Sequence, residues 1–218
     1  MTYTEYILKY LDRQEPGTPV YTEAIAAAVA ADYEISCKKA AAATAVALKR
    51  IMDKGKLPDL RCYRKGIYYR TADTPFGEVA ISREKLIADK YLLPDKGYET
   101  GLRLLHHLGL TTQMPAEHLL ATNAAKDCLR YDTRLGVSIC PPKVPINAEN
   151  KMYLQTLDAL DLLDKAPVDA QDPYTILSDH IRRNHLEYEN LLFYADRYYS
   201  RRTIFQLAHT AGRKEGKG

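Results

Sequence analysis

Apolar residues recur along this chain mostly at helical spacing, and the pattern breaks wherever proline, glycine and aspartate cluster. In residues 3–13, Tyr6, Ile7, Tyr10 and Leu11 share one stripe and predict a first helix, which EPGTP at 15–19 ends. Thr22 is expected to cap a second helix, 23 to about 33, with Ile25 and Val29 turned inward. Ser36 stands where a third and longer helix needs its N-cap, and residues 37–54 hold no proline or glycine. At about 100° per residue, Cys37, Ala41, Thr44, Ala45, Leu48, Ile51 and Met52 gather on one side and predict its core face. Lys38, Lys39, Ala42, Val46, Lys49 and Arg50 gather on the other. Beyond Gly55, the stretch KLPDLRCYRKGIYYRT reads as two short strands joined at Gly66. Helix, helix, turn, helix and hairpin in this order predict a winged helix-turn-helix over residues 1–71.

The polar TADTP segment at 71–75 lacks periodicity and marks the expected domain boundary. After it, residues 76–81 predict a short strand, and Ser82 caps a helix to about 91. A turn at 94–97, a helix over 100–108 closed by Gly109, and strands at 118–122 and 135–140 follow. Pro141, Pro142 and Pro145 then cut the pattern. Residues 149–163 carry Met152, Leu154, Leu157, Leu160 and Leu163 at helical spacing. Asp172-Pro173 is a strong start for a helix over 174–185. Further helices are expected at 188–199, where Tyr188, Leu191, Leu192, Ala195 and Tyr199 form one stripe, and at 203–211. The tail 213–218 is basic and glycine-rich and is expected to fray. The expected fold class is α+β and mostly helical, with a mixed α/β domain over 76–218 that ends in a helical bundle.

Charge alters this picture only when it is located. The net charge of the 218-residue chain is +3, which gives no global argument for nucleic acid. Residues 1–71, however, hold 12 Lys and Arg against 8 Asp and Glu, and 72–218 hold 19 against 20. Ten of those twelve cations fall in 36–70, where only Asp53 and Asp59 oppose them. Small side chains at Ala42 and Ala43 let a helix approach bases, and Lys and Arg neutralise phosphates. The candidate DNA-binding residues are therefore Ser36, Lys38, Lys39, Ala42, Ala43, Lys49 and Arg50 on the helix. Arg61, Tyr63, Arg64 and Lys65 join them from the wing.

Four widely spaced cysteines, the absence of a signal-peptide pattern and of any long apolar run point to a cytoplasmic protein with no membrane partner. No catalytic constellation stands out, so no enzyme activity, cofactor or metal is expected. Adjacent His106 and His107 diverge on a helix, a poor geometry for one metal ion. Asp158, Asp161 and Asp164 recur every third residue and are expected to form a solvated stripe. A metal-dependent nucleic-acid enzyme using such carboxylates is the rival reading, and a ligand-responsive repressor is another. The 17 tyrosines, beside three phenylalanines and no tryptophan, suit half-wet cores and interfaces.

The block GYETGLRLLHHLGLTTQMP at 97–115 resembles a segment of the AbiEi-type antitoxins of type IV toxin–antitoxin pairs. The segments PVYTEAIA, ALKR, KGIYYR, LIADKY, YLQTLDALDLL and TAGR extend the likeness over nearly the whole chain, toward an uncharacterised bacterial branch of that family. His106 and His107 depart from its pattern, where a less basic pair is expected. The resemblance implies an autorepressor that binds inverted repeats in its own promoter. It also implies a second domain that counteracts a nucleotidyltransferase-like toxin. Together with the tyrosine stripes, it nominates Tyr98, Thr111, Gln113, Tyr188, Tyr199, Arg201 and Arg202 as partner-binding residues.

Overall fold

The structure, a computed structural model, describes residues 1–212, so the tail 213–218 lies outside it. The fold is α+β and mostly helical. The chain divides into two compact units, Met1–Leu86 and Ile87–Gly218.

In the first unit, α1 (Tyr3–Asp12) starts with a capping box. Thr2 Oγ1 accepts from the Glu5 N–H and the Glu5 carboxylate accepts from the Thr2 N–H. β1 (Val20–Tyr21) leads directly into α2 (Thr22–Asp32). Thr22 is thus the first helical residue, not the cap. Tyr21 holds the N-cap position, where its phenol makes no capping bond, and Thr22 gives its N–H to Gly66 O. A turn with Glu34 in the left-handed region (φ +50°) delivers α3 (Cys37–Asp53), whose N-cap Ser36 accepts from the Lys39 N–H as the sequence predicts. β2 (Leu60–Arg64) and β3 (Ile67–Arg70) form the hairpin, and β1 adds a third strand in the order β1-β3-β2. Ile7, Leu11, Ile25, Val29, Leu48 and Ile51 fill the core between helices.

The face of α3 that enters this core differs from the predicted one. Ala40, Thr44, Ala47, Leu48 and Ile51 are buried, whereas Cys37, Ala41, Ala45 and Met52 are exposed. The buried stripe is turned by roughly 55° from the apolar centroid, about half of the ~100° residue step. The cause is packing from two directions, because both α1 and α2 lie against α3 and together pull Ala40 and Ala47 inward.

The first unit also continues past TADTP, the expected boundary. Instead of one strand over 76–81 there is a small hairpin, β4 (Asp73–Thr74) and β5 (Gly77–Glu78), with Phe76 fully exposed at its turn. Backbone bonds tie this hairpin back to the preceding elements. Gly17 gives its N–H to Arg70 O and accepts the Ser82 N–H, both at 2.7 Å. Gly17 sits at φ +79°, and a Cβ there would meet Ala80 O at 3.0 Å, so only glycine fits this crossing. Ser82 caps α4 (Arg83–Ile87) through the Lys85 N–H. The predicted helix to 91 then widens into a π-helical turn, Ala88–Leu92.

The second unit holds a four-stranded sheet, β6 (Gly97–Thr100), β7 (Leu119–Thr122), β8 (Arg130–Asp132) and β9 (Val137–Cys140), in the order β6-β7-β9-β8. β7 and β9 run parallel and the outer pairs antiparallel. At Gly97 a Cβ would fall 2.5 Å from both Ala121 O and Tyr91 O, so β6 can pass only with glycine there. The helices are α5 (Gly101–His107), α6 (Lys151–Leu162), α7 (Pro173–Arg183), α8 (Tyr188–Tyr198) and α9 (Arg201–Thr210). Asp172 caps α7 with Pro173 in its first turn, as predicted. Leu105, Leu157, Leu160, Leu177 and Leu191 form the centre of the helical core. On α8, Leu191 and Ala195 are buried and Tyr188 and Tyr199 flank them, but Leu192 faces out. No helix among the described residues is long and apolar enough to cross a membrane.

Candidate nucleic-acid interface

On α3, the predicted outer residues Lys38, Lys39, Ala42, Val46, Lys49 and Arg50 are all exposed, and Ala43 is half-buried. Among the described residues, none of these four cations makes an ion pair with a carboxylate. Ser36 has its side chain committed to the helix cap. Beside this face lies a shallow depression, where the N-cap Thr2 and Tyr3 and Thr4 of α1 meet Ala42, Val46 and Arg50 of α3. The start of α1 is held there by Tyr33, which donates its hydroxyl to Met1 O (2.9 Å) and packs edge-on against the Tyr3 and Tyr6 rings. Sequence reasoning did not find this neighbour of the exposed helix face. The aromatic residues that build it are 27 and 30 positions apart, beyond the reach of a periodic signal.

The β2–β3 hairpin divides into two parts. Arg64 and Lys65 at its tip are exposed, and among the described residues neither makes an ion pair. Arg61 is not available in the same way. Its guanidinium donates to Glu78 (2.9 Å) and to Pro58 O (2.6 Å), bracing the hairpin. Arg70 likewise bonds Asp59 (2.7 Å) and pairs with Asp12. The β2–β3 register shifts between Cys62 and Arg64, leaving Tyr63 as the extra residue of a bulge. A bulge re-aims its side chain, and Tyr63 is exposed.

In the second unit, most of the predicted partner-binding residues are structural. Tyr98 is 2 % exposed and Thr111 is 3 % exposed, so neither offers a surface, because β6 and the segment after α5 pass through the core. Tyr188 donates to Thr210 O (3.0 Å). Tyr199 donates to Asp158 Oδ1 (2.7 Å) and to Leu154 O (3.1 Å). Arg202 pairs with Asp164 (2.5 Å). Gln113 and Arg201 are exposed. Within the LGLTTQMP segment, Thr112 bonds the Asp169 carboxylate through both its N–H and its hydroxyl. Those bonds hold Asp169 below the usual carboxylate range.

Of the three aspartates, Asp158 and Asp161 on α6 are not the expected solvated stripe, while Asp164, just past the helix, is exposed. Asp158 accepts from Thr100 (2.9 Å) and Tyr199, and the Tyr98 hydroxyl borders the same carboxylate. Asp161 accepts from Lys165 (2.6 Å) and Thr203 (3.0 Å), and Asp164 from Arg202 and Gln206. Burial pushes the Asp158 carboxyl up from its ordinary value, against the pull of its hydroxyl donors. Burial also raises the Tyr98 and Tyr199 hydroxyls, and the Cys140 thiol to about 11. The donors come from positions 58 residues before and 41 after Asp158, which is why spacing within one helix could not reveal them.

The two histidines diverge as their adjacency requires, with ring centroids 6.1 Å apart. His107 Nδ1 lies 2.8 Å from Glu99, which is also approached by His118 Nε2 (2.6 Å) and Arg103 Nε (3.2 Å). Among the described residues no group of three or more His, Cys, Asp and Glu side chains is arranged to hold a metal ion. Comparison of the chain with protein-family models, curated proteins and solved structures found no match.

Proposed function

We propose that this protein is a winged-helix transcriptional repressor that binds double-stranded DNA, its own promoter foremost, through α3 and the wing. The observation that carries this reading is the distribution of unpaired cations. Lys38, Lys39, Lys49 and Arg50 share the exposed face of α3 with Ala42 and Val46, while Arg61 and Arg70 are held by carboxylates of the same unit. Free cations around small side chains suit a helix that enters a major groove between phosphates. Arg64 and Lys65, with Tyr63, would meet the flanking backbone from the wing tip. Fluorescence anisotropy on the upstream DNA, across a salt series and against scrambled DNA, tests the reading. Sequence-preferring binding with a steep salt slope is expected. The double variant Lys38→Ala, Lys39→Ala should lower that slope by about 0.9 for each phosphate that is no longer neutralised. An unchanged slope would sink the assignment of α3.

The resemblance to AbiEi-type antitoxins extends this reading to a second activity, neutralisation of a nucleotidyltransferase-like toxin by the second unit. With Tyr98 and Thr111 in the core, the surface open to a toxin comprises Gln113, Arg201 and the exposed side chains Leu192, Phe193, Tyr198 and Phe205. Co-expression of the full chain with the neighbouring toxin should restore growth, and Phe193→Ala with Phe205→Ala should abolish rescue while DNA binding persists. Continued growth arrest beside soluble wild-type protein would remove the antitoxin role and leave the repressor.

A further inference from the structure

β8 is an outer strand of its sheet, and among the described residues β9 is its one hydrogen-bonded neighbour. Its register is Arg130 to Ile139, Tyr131 to Ser138 and Asp132 to Val137. Ser138 gives its N–H to His118 O (2.9 Å), on the β7 side. A strand residue points its N–H and C=O to the same side, so Ser138 turns both away from β8, and its pair with Tyr131 is the non-hydrogen-bonded kind. The backbone N–H and C=O of Tyr131 therefore point off the free edge, while Arg130 and Asp132 direct theirs to β9. Sheet edges are commonly guarded by proline, charge or a covering segment. Here the open position is a tyrosine 62 % exposed, and Leu129, two residues earlier, is 61 % exposed.

We propose that β8 pairs antiparallel with β8 of a second copy of this chain, about a two-fold axis through Tyr131, joining two four-stranded sheets into one. In this register each Tyr131 donates its N–H to the carbonyl of the other and accepts one in return, a self-complementary pair of the kind a two-fold interface requires. Arg130 then stands opposite Asp132 on both sides of the axis. The charges also select the register. Sliding the axis to residue 130 would set Arg130 against Arg130, and sliding it to residue 132 would set Asp132 against Asp132, both unfavourable across strands. Asp132 is already held by Lys90 and Tyr91 through Oδ2 (2.7 Å each). The charges thus fix alignment, while the backbone bonds and the facing Tyr131 side chains supply attraction.

Sedimentation equilibrium of the full chain without DNA, from micromolar to several hundred micromolar, tests this directly. A monomer–dimer equilibrium is expected. Tyr131→Pro removes the outward N–H without touching a β8–β9 bond, and should weaken the dimer by about tenfold or more, a shift of about 1.4 kcal/mol. Arg130→Asp, at an exposed side chain, sets like charges across the axis and should weaken it as well. It serves as the decisive variant if Tyr131→Pro misfolds. A chain that stays monomeric at every concentration overturns the proposal, as does a dimer of unchanged affinity in the folded variants. No DNA is present, so failure here is distinct from failure of the repressor reading.

Discussion

The two units handle charge in opposite ways. In the first, among the described residues, the cations of α3 and of the β2–β3 hairpin tip make no ion pair, while carboxylates hold Lys85 and the arginines that brace the hairpin, Arg61 and Arg70. In the second, carboxylates are drawn into the fold. Asp158, Asp161 and Asp164 tie α6 to β6 and to the chain around α9, Glu99 collects Arg103, His107 and His118, and Asp132 holds Lys90 and Tyr91. A polar residue used internally is fixed by donors distant in sequence, whereas one left for a ligand has no such donor. Charge counts alone miss that distinction, since they do not separate Asp158 or Glu99, held inside the second unit, from an exposed cation such as Arg201.

The largest effect should come from the internal network. Asp158→Ala removes the acceptor for Thr100 and for one bond of Tyr199, and is expected to cost about 2 kcal/mol by chemical denaturation. Asp158→Asn keeps an acceptor without a charge, which isolates the titration. Because the folded pKa of Asp158 lies above its ordinary 3.8, its contribution is full below that value and is lost as pH rises through the folded pKa. Asp132 runs the other way. Burial raises it, but bonds from Lys90, Tyr91 and the Leu135 N–H outweigh burial and hold it below the carboxylate range. Its contribution is full above 3.8 and is lost as pH falls through the lowered folded value. Melting Asp158→Asn and Asp132→Asn beside wild type across pH should show opposite slopes, and parallel curves would contradict both assignments.

A smaller effect separates free from committed cations on the β2–β3 hairpin. Arg64→Ala with Lys65→Ala should reduce the salt slope of DNA binding by about 1.8, or roughly 1.5 kcal/mol between 50 and 200 mM salt. Arg61→Ala, whose guanidinium already serves Glu78, should leave the slope unchanged. Equal reductions in the two variants would erase the contrast. Smallest is the helix cap. Ser36→Ala should lower the stability of the first unit by about 1 kcal/mol, measured by its thermal transition, through loss of the bond to the Lys39 N–H.

Helices were legible wherever caps and spacing agreed, as at Ser36 with α3 and Asp172-Pro173 with α7. Strands β1, β6 and β8 escaped, because two to four residues carry too little alternation and their partners lie far along the chain. The exposed face of α3 was readable from its lysines. Its inward face was not, since the packing of α1 and α2 together chooses alanines over the apolar centroid. The internal role of Asp158 depends on Thr100 and Tyr199, which only the folded chain brings to it. Likewise nothing local distinguishes Arg61 from Arg64, and the difference arises at Glu78, 17 positions further on.

The crossing at Gly17 bears on how such a protein can be divided or recombined. Arg70 O, Gly17 and Ser82 form one relay of backbone bonds, and Thr71 and Arg61 add side-chain bonds to Val79 and Glu78. A gene cut after codon 71 would keep the Gly17–Arg70 bond but discard Ser82, Val79 and Glu78, the far ends of the other links, and uncover the base of the hairpin. A first unit excised for fusion to another protein should therefore run to the end of α4, and natural recombination that respects this fold would leave its junctions beyond that point.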